Sequence, residues 1–161
     1  MANFYGLFAA AAARFPEHVA IEVIRDAGAS GGGLETWTYH QLEDDAARWA
    51  AWLTAQGVLP GDRCAIFAAN DARWIAAYFG ILRVGAVAVP LDTNYKASQV
   101  ATVMANSGAR VLFTTAKLAA VAAEAAPQVP RPDVFLPTAR RPAPSLAPPV
   151  ARDADDAAVM L

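Results

Sequence analysis

The residues of this 161-residue chain that could do acid–base or nucleophilic chemistry are few and scattered. His18 and His40 are its only histidines. A histidine works as a general base only when a partner orients it within reach of the proton that it takes. We expect His18 at a helix exit and His40 on a first helical turn, far apart and each without such a partner. The sequence therefore predicts that neither histidine is catalytic.

The single cysteine, Cys64, lies inside an apolar stretch that reads as a strand. A thiol in such surroundings is more often an inert core group than a nucleophile. One cysteine also excludes a disulfide framework and favours a reducing compartment. We predict a buried, unreactive thiol.

The carboxylates do not form an evident metal site. Glu43, Asp44 and Asp45 form an acidic run that we interpret as a solvated helix face. Asp92 follows Pro90 and lacks further oxygen ligands at a suitable spacing, as a hard cation would need. The predicted site therefore contains no catalytic, no cofactor-binding and no metal-binding residue in this chain.

A glycine-rich run at residues 26–33 raises the question of a phosphate loop. Such a loop needs a strand before it, a helix directly after it, and a lysine at the junction. Here a second strand follows and no lysine is near. The run is typical of a loop between two antiparallel strands.

Trp49, Trp52 and Trp74 could in principle form a surface on which bases stack. Trp49 and Trp74 fall on apolar helical faces, so we interpret them as core residues. Trp52 lies off that face, and we expect it to meet a further part of the protein. The net charge of −2 gives no basic surface for nucleic acid.

Periodic helices and short apolar strands alternate over residues 4–126. Thr38 and Gln41 form a capping box, in which each side chain bonds the other's backbone amide. The predicted helices are 4–15, 39–56, 71–84, 97–107 and 117–126, and the predicted strands are 19–24, 34–37, 63–68, 86–89 and 111–115. This alternation predicts an α/β fold of three layers, with a mostly parallel sheet and helices on its faces.

The composition changes at Pro127, since eight of the eleven prolines lie between residues 127 and 149. We predict three segments, an α/β subdomain over 1–126, a proline-rich irregular excursion over 127–152, and the start of a strand over 153–161. No apolar run reaches the length of about 18 residues that spans a membrane. No basic residue precedes the first apolar run, so a signal peptide is not indicated, and the predicted location is the cytoplasm.

Four motifs occur in order along the chain. They are Trp-Thr-Tyr-His-Gln-Leu at 37–42, Pro-Gly-Asp-Arg-Cys-Ala-Ile at 60–66, the helix–glycine–strand–Pro-Leu-Asp block at 70–92, and Ser-Gly-Ala-Arg-Val-Leu at 107–112. Together they resemble the core motifs of the AMP-forming acyl-adenylating superfamily, which includes acyl-CoA synthetases, luciferases and peptide-synthetase adenylation domains. The 79–92 segment is most similar to that of fatty acyl-CoA synthetases.

The resemblance implies a parent enzyme that joins a carboxylate, expected to be a fatty acid, to CoA at the expense of ATP, with Mg²⁺. In that superfamily the phosphate loop, the Mg²⁺ carboxylate and a lysine of a small C-terminal domain perform the chemistry. All of them would follow residue 161, where the sequence is similar to the lead-in to the loop. We therefore expect this chain to be an N-terminal fragment that binds no cofactor alone and is inactive alone, with the rest of the parent or a second copy as its partner.

Two other functions stay open. The chain could be a self-standing module that binds a nucleotide or CoA in a crevice at the carboxyl ends of its strands. It could also be an interaction module whose apolar surfaces are covered by another chain. A ligand titration tests the first, and the oligomeric state tests the second.

Overall fold

The computed structural model describes residues 4–25, 33–128 and Val150. In chain order its elements are α1 (Phe4–Arg14), β1 (Val19–Arg25), β2 (Gly33–Thr38), α2 (Tyr39–Ala55), β3 (Arg63–Phe67), α3 (Ala72–Arg83), β4 (Val87–Pro90), α4 (Ala97–Ser107), β5 (Val111–Thr114), α5 (Ala119–Ala125) and a 3₁₀ turn (Ala126–Gln128). The ten elements predicted for residues 4–126 are all present, and their ends differ by at most two residues.

The central sheet has the strand order β4-β3-β5, and both pairings are parallel. Its register places Ile66 opposite Pro90 and Phe67 opposite Thr114. Strands β1 and β2 form a separate antiparallel pair. The predicted α/β fold with a parallel sheet is therefore confirmed.

Side chains of the central strand alternate between the two faces of the sheet, as a pleated strand requires. Cys64 and Ile66 face α2 and α3, and they pack there in one buried cluster. Ala65 and Phe67 point the other way and pack with α4 and α5. Helices thus cover both faces, which gives the predicted three layers.

A further layer lies outside α2 and α3, where α1 and the β1–β2 pair pack. Phe8 of α1 stacks on Phe79 of α3, with ring centroids 3.9 Å apart. The helical spacing of Phe4, Leu7, Phe8, Ala11 and Phe15 in the sequence predicts that these residues form the apolar face of α1, and this prediction is partly wrong. The buried residues of α1 are Tyr5, Phe8 and Ala12, and Phe4 and Leu7 are exposed.

Short-range signals fix the helix ends. The Thr38–Gln41 capping box is present, because the Gln41 amide donates to Thr38 Oγ1 and the Thr38 amide donates to Gln41 Oε1. Asp71 caps α3 by accepting from the amides of Arg73 and Trp74. Gly108 ends α4 with a φ of 63°, which is a left-handed conformation that favours glycine.

The proline-rich segment predicted for 127–152 lies outside the described residues, apart from Pro127, Gln128 and Val150, and the strand predicted for 153–161 lies wholly outside them. The Val150 amide donates a hydrogen bond to the Arg83 carbonyl, 2.8 Å away. Within the described ranges, no helix is long and apolar enough to cross a lipid bilayer.

Candidate functional site

A crevice opens where the chain leaves β3 and β5 in opposite directions. After β3 the chain turns into α3, which packs on one face of the sheet. After β5 it turns into α5, which packs on the other face. Because β3 and β5 are adjacent and parallel, their carboxyl ends form a topological switch point, where open α/β sheets bind ligands.

The crevice lies on the α2–α3 side of the sheet, is partly open to solvent and has a volume of about 240 Å³. Its apolar walls combine three aromatic side chains, Trp49 of α2, Trp74 of α3 and Phe113 of β5, with smaller aliphatic ones. Trp49 meets the Phe113 ring edge-on, with centroids 5.4 Å apart. Trp74 stacks on Tyr78, with centroids 5.5 Å apart. Each wall ring is held by another ring, so the walls are pre-formed.

The rim of the crevice carries four polar residues, Asp71, Arg73, Thr115 and Lys117. One Asp71 oxygen caps α3, and the other lies 3.6 Å from the Arg73 guanidinium. Asp71 and Arg73 thus neutralise each other. In the described part of the chain, the Lys117 ammonium and the Thr115 hydroxyl have no hydrogen-bond or ion-pair partner. The rim therefore has one net positive charge.

Thr114, the last residue of β5, also lines the crevice. Phe113 faces α2 and α3, so strand alternation places the Thr114 side chain with Leu112 on the opposite face. The Thr114 hydroxyl is buried and has no hydrogen-bond partner among the described residues. Thr115 lies one residue past the end of β5 and lines the crevice as well.

The two histidines lie away from this crevice. They are not far apart along the fold as predicted, because the Tyr39 amide donates to the His18 carbonyl and the His40 amide donates to the Pro16 carbonyl. The His18 ring packs against the Phe15 ring, with centroids 5.2 Å apart. The His40 Nε2 lies 3.6 Å from Asp44 on an exposed helical turn. Neither histidine lines the crevice at the ends of β3 and β5.

The Cys64 thiol is fully buried, as predicted. Burial raises its pKa to about 12, and the carboxylate of Asp62 adds to the rise. A thiol with that pKa is protonated at neutral pH and is a poor nucleophile. Cys64 therefore belongs to the core.

The acidic run was predicted as a solvated face, and for two of its three residues that is wrong. Asp44 is exposed, but Asp45 is buried. Glu43 accepts hydrogen bonds from Tyr5 and from Arg83, at 3.1 and 2.6 Å. Burial raises the pKa of Tyr5 to about 12, so its hydroxyl stays neutral and acts as a donor. These groups join helices and perform no evident chemistry.

Asp92 belongs to a turn, since its Oδ1 accepts from the Asn94 backbone and side-chain amides, each at 2.9 Å. Among residues 4–25, 33–128 and 150, no cluster of three His, Cys, Asp or Glu side chains could hold a metal ion. The glycine-rich run lies outside the described residues, except for Gly33.

Sequence reasoning assigned Trp49 and Trp74 to the core, and both do pack against it, but it missed that they also line the crevice. Both are half-buried, and so is Trp52, which packs against Phe113 with centroids 6.1 Å apart. The prediction that Trp52 lies off the apolar face is therefore wrong. The usable signal was the position of polar residues such as Asp71 and Lys117 directly after two strands of a parallel sheet.

Comparison with known proteins places the whole chain in context. The sequence profile of the family described as AMP-binding enzyme matches residues 8–161. The acyl-CoA ligase sidI of Aspergillus fumigatus is 38% identical over 82 residues, which are 51% of this chain and 14% of that ligase. The long-chain-fatty-acid–CoA ligase FadD13 of Mycobacterium tuberculosis is 37% identical over 84 residues, which are 52% of this chain and 17% of that ligase.

Solved structures have the same fold. The N-terminal domain of FACL13 from Mycobacterium tuberculosis matches with a TM-score of 0.78 at 26% identity, covering 99% of this chain and 41% of the other. A benzoate CoA ligase from Burkholderia xenovorans matches with a TM-score of 0.79 at 23% identity, covering 100% of this chain and 32% of the other. This chain thus spans less than half the length of each of these four proteins.

Proposed function

The chain belongs to the AMP-binding enzyme family, and from that premise we propose that it forms the N-terminal part of an AMP-forming acid–thiol ligase. The observation that carries the proposal is the agreement between the family match over residues 8–161 and the fold shared with the N-terminal domain of FACL13. The ligase would use ATP to convert a carboxylic acid and CoA into an acyl-CoA.

The proposed reaction has two displacements. A carboxylate oxygen attacks the α-phosphorus of ATP, which forms an acyl-adenylate and expels pyrophosphate. The sulfur of CoA then attacks the acyl carbon, which forms the thioester and expels AMP, while the thiol proton passes to base or solvent. Both steps depend on positioning and on the neutralisation of phosphate charge.

The described loops are poorly suited to that phosphate chemistry. A triphosphate is usually bound by converging amides of a glycine-rich turn between a strand and a helix. The turns after β3, β4 and β5, residues 68–71, 91–96 and 115–118, contain no glycine. We therefore propose that ATP and Mg²⁺ are bound by other parts of the enzyme, and that this chain alone is inactive. Its contribution would be a packed α/β scaffold.

We further propose a fatty acid as the carboxylate. The similarity to the long-chain-fatty-acid–CoA ligase FadD13 supports this substrate class.

We also propose the cytoplasm as the location. The Cys64 thiol, which is buried and has no disulfide partner, fits that reducing compartment.

ATP–pyrophosphate exchange tests the proposal. The purified 161-residue chain is incubated with ATP, Mg²⁺, labelled pyrophosphate and fatty acids of increasing length. We expect no carboxylate-dependent exchange from the chain alone. Exchange should appear when the same residues are joined to the remainder of a related ligase, such as FadD13, and it should increase with fatty acids over aromatic acids. Exchange by the chain alone would contradict the scaffold role.

A self-standing binding module remains the second candidate, because the crevice at the β3 and β5 ends has pre-formed walls. A ligand that binds the chain tightly while no ligase activity can be restored would favour that alternative.

A further inference from the structure

The aromatic crevice between the ends of β3 and β5 is a candidate ligand site in its own right. We propose that it binds a monoanionic carboxylic acid with a ring-sized apolar body, placing the body between Trp49, Trp74 and Phe113 and the carboxylate at Lys117. This proposal concerns binding alone, so it holds or fails independently of the ligase activity.

The size of the cavity limits the ligand. About 240 Å³ exceeds the roughly 150 Å³ of an engineered apolar cavity that takes up benzene. It lies below the roughly 300–1,000 Å³ of sites for drug-sized molecules. A single ring with one small substituent fits, and a nucleoside triphosphate or an extended long acyl chain does not.

The walls favour an aromatic body. Trp49 and Phe113 present an edge-to-face pair, and the plane of Trp74 is fixed by its stack on Tyr78. A planar ligand ring can stack or meet these rings edge-on, which adds to the apolar area that it buries. Since the rings are already held, ordering them on binding costs little.

The rim favours one negative charge. Asp71 accepts the cap hydrogen bonds of α3 and pairs with Arg73, so its charge repels an anion only weakly. Arg73 is in turn not available to a ligand. Lys117 supplies the uncompensated charge, and the Thr115 hydroxyl supplies an additional donor. A carboxylate matches one ammonium and one hydroxyl, whereas a polyphosphate needs several cations or converging amides.

The test uses the whole 161-residue chain and benzoate as the probe. Benzyl alcohol has the same ring without the charge, and acetate has the charge without the ring. Calorimetry gives the affinity, and the indole N–H signals in two-dimensional NMR give the place. We expect benzoate to bind one to one with a Kd on the order of 1 mM. It should shift the signals of Trp49 and Trp74 and leave that of Trp37, which lies on β2, unchanged.

Three variants make the test specific. Lys117→Met should weaken benzoate binding about tenfold and abolish its advantage over benzyl alcohol. Lys96→Met is the matched control, since Lys96 is an exposed lysine that does not line the crevice, and it should leave the affinity unchanged. Ala68→Leu adds a larger side chain to the crevice wall and should abolish binding. An unchanged unfolding midpoint identifies the variants that keep the fold.

Four results would overturn the proposal. Benzoate could fail to bind, or it could bind no better than benzyl alcohol. Its affinity could survive both Lys117→Met and Ala68→Leu. The Trp37 signal could also move while those of Trp49 and Trp74 stay, which would place the ligand elsewhere. None of these results bears on ATP–pyrophosphate exchange, so the ligase proposal is judged separately.

Discussion

Arg83 and Glu43 meet across the interface of α3 and α2, with the guanidinium Nη1 2.6 Å from the carboxylate Oε1. Their side chains are only 12% and 28% exposed. The Tyr5 hydroxyl contacts both groups, so one ion pair connects α1, α2 and α3. Because water screens this pair little, losing one partner leaves a poorly solvated charge.

The Arg83–Glu43 pair should matter more than an exposed pair. We expect Arg83→Met to lower the free energy of unfolding by about 3 kcal/mol, since Glu43 is left without its cation. Arg73→Met, which breaks the more exposed pair with Asp71, is the control and should cost about 0–1 kcal/mol. Urea unfolding followed by circular dichroism measures both. Equal losses of unfolding free energy in the two variants would show that burial does not make the Arg83–Glu43 pair more important for stability.

Gly80 allows α3 to lie close against α2. A Cβ placed on Gly80 would lie 2.5 Å from the Trp49 Cβ and 3.0 Å from the Ala46 carbonyl oxygen. Both are near the backbone and cannot rotate away. We expect Gly80→Ala to destabilise the fold by about 2 kcal/mol, in spite of the better helix propensity of alanine.

The control for this substitution is Gly33→Ala, because nothing lies within 4 Å of a Cβ at that position. Thermal unfolding of both variants compares them directly. If Gly80→Ala were stabilising, the two helices would have to separate at no cost, and the packing described at this contact would be wrong.

Cys64 should make the stability fall at alkaline pH. Burial raises its folded-state pKa from 9.0 to about 12. Above pH 9 the unfolded chain loses the thiol proton while the folded chain keeps it, so the stability present below pH 9 is lost as pH rises. The expected loss is about 1 kcal/mol between pH 9 and pH 10.

Urea unfolding at pH 8, 9 and 10 measures that loss, and Cys64→Ala should flatten the dependence in this range. The raised pKa of Tyr5 acts mainly above pH 10, where the free tyrosine titrates. A thiol reagent provides a second measure, because native Cys64 should react only after unfolding. Rapid labelling at pH 7 would contradict the burial.

The outer face of the β1–β2 pair should promote self-association. Ile24 is 84% exposed and lies opposite Leu34, which is also exposed. Two apolar side chains side by side on an antiparallel pair invite contact with another chain. We expect a dimer at micromolar concentration in sedimentation equilibrium, because a two-fold pair is the smallest closed assembly.

The double variant Ile24→Thr, Leu34→Thr keeps a high β propensity at both positions. It should raise the dissociation constant of the dimer at least tenfold. Leu59→Thr is the control, since Leu59 is exposed in the loop before β3. A wild-type monomer at all concentrations, or a dimer that survives the double variant, would exclude this surface as the contact.

Local chemistry made the element order predictable. The capping box at Thr38 and Gln41, the cap at Asp71 and the left-handed Gly108 each act within four residues. Alternating strands and helices then determine a parallel sheet by general rules of chirality and connection. These signals are contained in short windows of sequence, so no tertiary information is needed to read them.

Long-range contacts account for the errors. The face of α1 was misassigned because Tyr5 is drawn inward by Glu43 and Arg83, which are 38 and 78 residues away in sequence. The spacing of Phe4 and Leu7 fits a helix face equally well, and only packing on α3 decides between the two. The walls of the crevice likewise come from three elements, so residue types alone could not separate lining from core.

The strand order has a consequence for the nascent chain. Of the three strands in the central sheet, β3 is synthesised first and lies in the centre, and both later strands pair with it. Strand β3 can pair with β4 once Pro90 has left the ribosome. Helix α4 and strand β5 follow 7–24 residues later in the sequence. Their synthesis takes roughly 1–5 s at the usual rate. During that interval the side chains of Ala65 and Phe67 lack their helical cover. A ribosome-bound chain that stops at Pro90 would therefore expose this apolar face of β3 to chaperones that bind nascent chains.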